Sequence, residues 1–178
     1  GIREVAMKRV CALILLSSVF TLVFTLSLAS ARPAAALKPT AAEKRVIKLV
    51  NRERARKRLA PVKFNAALTR AARAHSRQMA RRGILTHRSA NRDTVARRVV
   101  RHGYRRAGFR SWCIGENIAR ARLGTLFATS DGTVCLWMGS KAHRQVILKA
   151  GMRHVGVGVA KSAGGMRYFT LDLGRRCR

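Results

Sequence analysis

The C-terminal third sets the tightest limit on the fold, because its apolar period changes there. Val155, Val157 and Val159 alternate with glycine, Ser162-Ala163-Gly164-Gly165 supplies a turn, and alternation resumes from Tyr168 to Leu173. Apolar residues at every second position on both sides of a glycine turn predict a β-hairpin. Upstream the period is helical. From Glu43, the residues Val46, Ile47, Leu49 and Val50 share one face while Lys and Arg fill the other, and Pro61 ends the segment. Asn65 is placed to cap a second helix with a stripe of Leu68, Ala71, Ala72, His75 and Met79, closed by Gly83. Asp93 is placed to cap a third, with Val95, Val99 and Val100, stopped by Gly103. Trp112 to Ala119 reads as extended chain. Ser130 or Asp131 starts a fourth helix through Val134 and Trp137, and Ser140 caps a short fifth bearing His143, Ile147 and Leu148. Helices followed by a small antiparallel sheet describe an α+β domain.

The other end of the chain is an address. Lys8 and Arg9 precede a run from Val10 to Leu28 that is apolar apart from hydroxyls, and Ala29-Ser30-Ala31 and Ala34-Ala35-Ala36 both fit an A-x-A cleavage site. These are the three parts of a secretory signal, so residues 1–31 are expected to be a signal peptide. Met7 is the better translation start, which leaves residues 1–6 outside the fold. The alternative is an uncleaved anchor, because the run approaches the ~20 residues that span a bilayer. Residues 32–42 read as a Pro/Ala linker and 43–177 as one domain. Roughly 140 residues after the signal suffice for a single core.

Lys and Arg total 38 against 7 Asp and Glu, a net charge of +31 in 178 residues. Such a field attracts polyanions. Nucleic acid is a poor fit, since the aromatic interleaving of single-strand binders is missing and an exported chain meets lipid headgroups and wall polymers first. Of four cysteines, Cys113, Cys135 and Cys177 lie beyond the signal. No C-x-x-C spacing supports a structural zinc site, whereas a disulfide is permitted outside the cytoplasm and leaves one thiol over.

The ordered pieces Leu49-Val50-Asn51-Arg52-Glu53-Arg54, Leu68 to His75 with Met79, and Leu85-Thr86-His87 lead into Gly115-Glu116-Asn117-Ile118-Ala119. After them come Trp137-Met-Gly-Ser140-Lys-Ala-His143-Arg144, Val155-Gly-Val-Gly158 and Tyr168-Phe-Thr-Leu-Asp-Leu-Gly174. In this order the chain resembles the CAP superfamily (cysteine-rich secretory, antigen-five and pathogenesis-related proteins), and its bacterial branch in particular. The resemblance implies a three-layer α-β-α sandwich with a central cleft into which two histidines and acidic residues project.

Carried over by position, His87 and His143 are the cleft histidines and Glu116 the acid between them. Many family members carry a second acid where this chain has Ser140, so the polar cluster is reduced to three. Two neutral imidazoles can hold Zn²⁺ weakly and exchangeably, with water or Glu116 completing the sphere; Glu116 beside a bound water could act as a general base. Against these stand plainer roles: Glu116 accepting backbone N–H groups, Asn117 satisfying the backbone, His75 and Trp137 in the core, and Ser140 as an N-cap in place of a nucleophile. If the Gly115 segment and the last strand are neighbours, as in the family, Cys113 and Cys177 are expected to form a disulfide; the rival pairing is Cys113 with Cys135. The leading functional expectation is a secreted or envelope-associated binding module for a lipid-like or envelope ligand. The alternatives are a metal- or His/Glu-assisted hydrolase and an exported polyanion-binding protein.

Overall fold

The computed structural model describes residues 36–177. The expected signal, its cleavage site after Ala31 and residues 32–35 lie outside the described residues. No helix among those described is long and apolar enough to cross a membrane. Leu37–Arg178 forms a compact unit with its own core.

Helix α1 (Ala41–Arg56) begins two residues before the expected domain boundary. Thr40 and Glu43 form a reciprocal capping box, with the Glu43 carboxylate accepting from the Thr40 N–H at 2.7 Å. That pairing satisfies donors that a helix start otherwise leaves open. Strand β1 (Lys63–Phe64) follows, then α2 (Ala66–Arg82), capped by the Asn65 side chain and ended by Gly83 at φ 67°. Helix α3 (Val95–Arg101) is capped by Thr94, not Asp93, whose carboxylate pairs with Arg101. Strand β2 (Ser111–Arg122) leads through a 3-10 turn (Leu126–Ala128) to α4 (Ser130–Gly139), capped by Thr129. Ser140 stands at the start of α5 (Lys141–Ile147), but its hydroxyl makes no cap bond. Strands β3 (His154–Lys161) and β4 (Met166–Cys177) form the predicted hairpin, longer at its far end than the alternation indicated.

The sheet order is β1-β3-β4-β2, with β2–β4 and β3–β4 antiparallel. It is mixed, because the two-residue β1 pairs parallel to β3. Strand alternation sorts the layers. The odd positions Val155, Val157, Phe169, Leu171, Leu173 and Ala119 pack against Val46, Leu49 and Val50 of α1, Val134 and Trp137 of α4, and Ile147 of α5. On the opposite face Leu68 and Ala71 of α2 meet Val99 and Tyr104, and Met79 meets Ile118 and Tyr168. This is the expected three-layer α-β-α sandwich.

Glycine lets α2 sit unusually close to the sheet. A Cβ on Gly156 would lie 2.2 Å from the Leu68 carbonyl carbon, and one on Gly158 would lie 2.3 Å from the carbonyl carbon and oxygen of Ala72. At that approach Ser76 of α2 donates directly to the Gly158 carbonyl at 2.9 Å.

The expected neighbouring of the Gly115 segment and the last strand is present, but the Cys113–Cys177 disulfide is not. Cys113 stands opposite Arg175 and Cys177 opposite Ser111, so the two cysteines are a diagonal step apart on one face. Diagonal neighbours lie ~7–8 Å apart, beyond the ~6.8 Å Cα limit of an unstrained bridge. Cys113, Cys135 and Cys177 are all free thiols, so the rival Cys113–Cys135 bond is absent too.

Candidate functional site

Strand β2 is the sheet edge, and its alternation sends successive side chains into different layers. Glu116 points towards α2 and α3, and Asn117 towards α5. The Asn117 amide donates to the His143 carbonyl at 2.9 Å, which anchors α5 beside the strand. On the other side Gly83 turns the chain out of α2, and the following loop brings His87 back to the strand. His87 Nδ1 lies 2.8 Å from Glu116 Oε1. The His87 ring and α5, which carries His143, thus meet the same strand from opposite layers.

Glu116 is the pivot. Its side chain is 1% exposed, whereas that of His87 is 55% exposed. Its second oxygen, Oε2, accepts from Arg98 of α3. Arg98 also donates to the His87 carbonyl at 3.2 Å and the Ser89 hydroxyl at 2.9 Å, so one guanidinium fixes both the acid and the loop that carries the histidine. Burial opposes ionisation of Glu116, but the His87 hydrogen bond and the Arg98 charge outweigh it and hold the carboxyl below the ordinary range. An ionised carboxylate only accepts. His87 therefore donates its Nδ1 proton, and in the neutral ring Nε2 keeps its lone pair. Burial first, and the neighbouring His87 second, hold the His143 imidazole below its usual value, which favours its neutral form near pH 7.

With Glu116 Oε1 taken by His87 and Oε2 by Arg98, its carboxylate orients a histidine and is not free to complete a metal sphere. Among the described residues no three His, Cys, Asp or Glu side chains converge as a closed metal site needs.

Two members of the cluster escaped sequence reasoning. Arg98 was one cation among many, although it stands three residues after Val95 on the buried side of its helix. Asp172 lies directly opposite Glu116 on β4 and is fully buried. Neither of its carboxyl oxygens has a hydrogen-bond partner among the described residues. Burial, and then the Glu116 charge, push its pKa well above the ordinary carboxylate value, so Asp172 is protonated where Glu116 is ionised. Its alternation with Tyr168 and Thr170 was the available signal. His75 is the expected core histidine, donating through Nε2 to the Thr86 carbonyl at 2.7 Å. Trp137 is buried, with its indole N–H on the Ile118 carbonyl. His154 lies 2.9 Å from the Tyr104 hydroxyl and takes no part in the cleft.

Comparisons with known proteins agree with this architecture. The model of the CAP family, described as the cysteine-rich secretory protein family, matches residues 47–173. The chain is 32% identical over 125 residues to YkwD, an uncharacterised Bacillus subtilis protein; that match takes in 69% of this chain and 44% of YkwD. Among solved structures, an extracellular SCP-domain protein from Bacillus anthracis superposes with a TM-score of 0.60 at 26% identity, over 75% of this chain and 40% of that one. An outer surface protein from Borrelia burgdorferi superposes with a TM-score of 0.62 at 18% identity, over 75% and 91%. The chain spans less than half the length of the two Bacillus relatives. With the family model covering nearly the whole described domain, and with the sandwich in place, this chain belongs to the CAP family.

Proposed function

We propose that the protein is an exported, envelope-associated binding module whose cleft holds a divalent cation such as Zn²⁺ between His87 and His143. The observation that carries this reading is the ionised Glu116, which accepts a hydrogen bond from the Nδ1–H of His87 and so turns Nε2 outward as a ligand. A carboxylate behind a histidine is the usual outer-shell support of a metal ligand. A bound cation would supply Lewis acidity for holding an anionic or carbonyl group of an envelope ligand. The hydrolase alternative is the weaker one, because it needs a free base and Glu116 has both oxygens engaged. Export rests on the N-terminal sequence and is supported by relatives described as extracellular or outer surface proteins.

Calorimetry with Zn²⁺ at pH 7 tests the cleft. Weak, reversible binding that disappears in the His87→Ala/His143→Ala variant is expected. It should also fade in acid as the His143 imidazole, held below its usual value by burial, protonates. Equal affinity of wild type and double variant overturns the reading.

A further inference from the structure

At one end of the sheet the chain exposes apolar side chains beside cations that have no acidic partners. Leu126 and Phe127, on the 3-10 turn after β2, are 67% and 47% exposed, the most solvent-open large apolar residues among those described. At the same end of the sheet stand Arg81 and Arg82 at the end of α2, Arg120 and Arg122 at the end of β2, and Lys161 and Arg167 on the β3–β4 hairpin. Among the described residues none of these six cations forms an ion pair. The closest acid in sequence to the apolar turn, Asp131, is already paired with Arg45 at 2.5 Å.

The pieces are physically continuous. The Leu123 N–H donates to the Gly165 carbonyl at 2.8 Å, tying the approach to the apolar turn onto the hairpin turn. Arg167 donates to the Ala128 carbonyl at 2.8 Å, immediately behind Phe127. Arg81, Arg82 and Arg120, with Ser162 and Tyr168, wall a cavity of about 490 Å³ against the same hairpin. Two residues separate Leu123 from Leu126, so Leu126 and Phe127 lie within about 11 and 14 Å of chain from Leu123.

We propose that this end of the sheet docks on an anionic lipid bilayer. The arginine-walled cavity takes lipid phosphates, while Leu126 and Phe127 enter the boundary between headgroups and acyl chains. Arginines match phosphate oxygens in number and geometry, and apolar side chains flanked by cations are the pattern of an interfacial membrane contact. A soluble polyanion would be met by the cations alone and gives no reason for two exposed apolar side chains. The surface is built from residues that the histidine cleft does not use, so the two proposals stand or fall separately.

The test is vesicle co-sedimentation of the protein from Leu37 onward, the unit that contains the whole described core, at physiological salt. Vesicles of equal parts phosphatidylglycerol and phosphatidylcholine are compared with pure phosphatidylcholine. Each cation at an anionic surface is worth about fivefold in binding. Arg81→Gln/Arg82→Gln/Arg120→Gln should therefore lower partitioning about a hundredfold. The control Lys44→Gln/Lys48→Gln/Lys57→Gln removes equal charge from α1 and should change it by less than about fivefold. Leu126→Ser/Phe127→Ser should cost roughly tenfold, and Phe127→Trp should shift its fluorescence to the blue on anionic vesicles. His87→Ala/His143→Ala should bind vesicles as wild type does. Equal losses in the two triple variants would show diffuse charge attraction and overturn the proposal. Unchanged binding of the serine variant, or no blue shift, overturns it in favour of a soluble polyanion.

Discussion

Replacing Gly158 with alanine adds one methyl group at one of the two tightest points of the α2–sheet contact. The new Cβ would sit 2.3 Å from the Ala72 carbonyl carbon and oxygen and 2.4 Å from the Arg73 nitrogen, all of them helix backbone. Ordinary contact begins near 3.4 Å, so α2 must retreat by about 1 Å or the strand must bow. No rotamer change can absorb this, because the obstructing atoms are not side chains. Overpacking that flexible neighbours can relieve costs about 1–3 kcal/mol. A displaced helix also loosens Leu68, Ala71 and Met79 and breaks the Ser76 bond to the same glycine. The expected cost is therefore at the top of that range, about 3 kcal/mol, or roughly 10 °C in Tm for a domain of this size. Urea and thermal unfolding followed by circular dichroism measure it. Gly139, in the last turn of α4, has nothing within 4 Å of its would-be Cβ, and Gly139→Ala should stabilise by about 0.5 kcal/mol through helix propensity. A Gly158→Ala protein within ~0.5 kcal/mol of wild type would refute the claim that the close approach is rigid.

Further expectations follow from the buried charges. Arg54 is fully buried and donates to the carbonyls of Ala60, Ile147, Lys149 and Met152; Arg54→Met strands four acceptors and should destabilise by about 4 kcal/mol, and a loss under ~1 kcal/mol would show that water replaces the guanidinium. The folded-state pKa of Asp172 is raised, so its contribution is complete below the unfolded carboxylate value of about 4 and is lost as pH rises through the folded value. Asp172→Asn should therefore be more stable than wild type at pH 7 and show a flatter profile above pH 4 in chemical denaturation; a variant that is weaker at pH 7 contradicts the protonated assignment. Removing Arg98 leaves Glu116 buried with only His87 as partner. Arg98→Met should cost about 3–5 kcal/mol, and adding Glu116→Gln should recover part of it; strictly additive losses in the double-mutant cycle would argue against coupling.

The periodic segments were legible because their periods report one-sided burial. The stripes of α1 and α2, the Asn65 and Gly83 boundaries and the β3–β4 alternation all describe faces that the core then used. Short-range polar chemistry was harder to read. Asp93, Thr94, Ser130 and Thr129 are all able to cap, and which oxygen does so depends on tertiary partners such as Arg101. Strand β1 has two residues, too few to show a period. At the site, His87, Glu116 and His143 were visible through the family pattern. Arg98 and Asp172 were not, because a buried charge or a buried neutral acid looks in sequence like any other ionisable residue until its neighbours are known. The expected disulfide failed on a register offset of two residues, which strand order alone does not determine.

The last strand made, β4, is hydrogen-bonded on both sides, between β3 and β2, and the Arg54 clamp joins the first helix to residues more than ninety positions later. A chain emerging from the ribosome amino end first therefore holds α1, α2 and β2 without the element that pairs or covers them. Closing such long loops early costs entropy that no contact yet repays. The domain consequently stays open until β4 has been made. A nascent chain stalled before Met166 is expected to remain sensitive to protease across this domain, so its folding waits for β4.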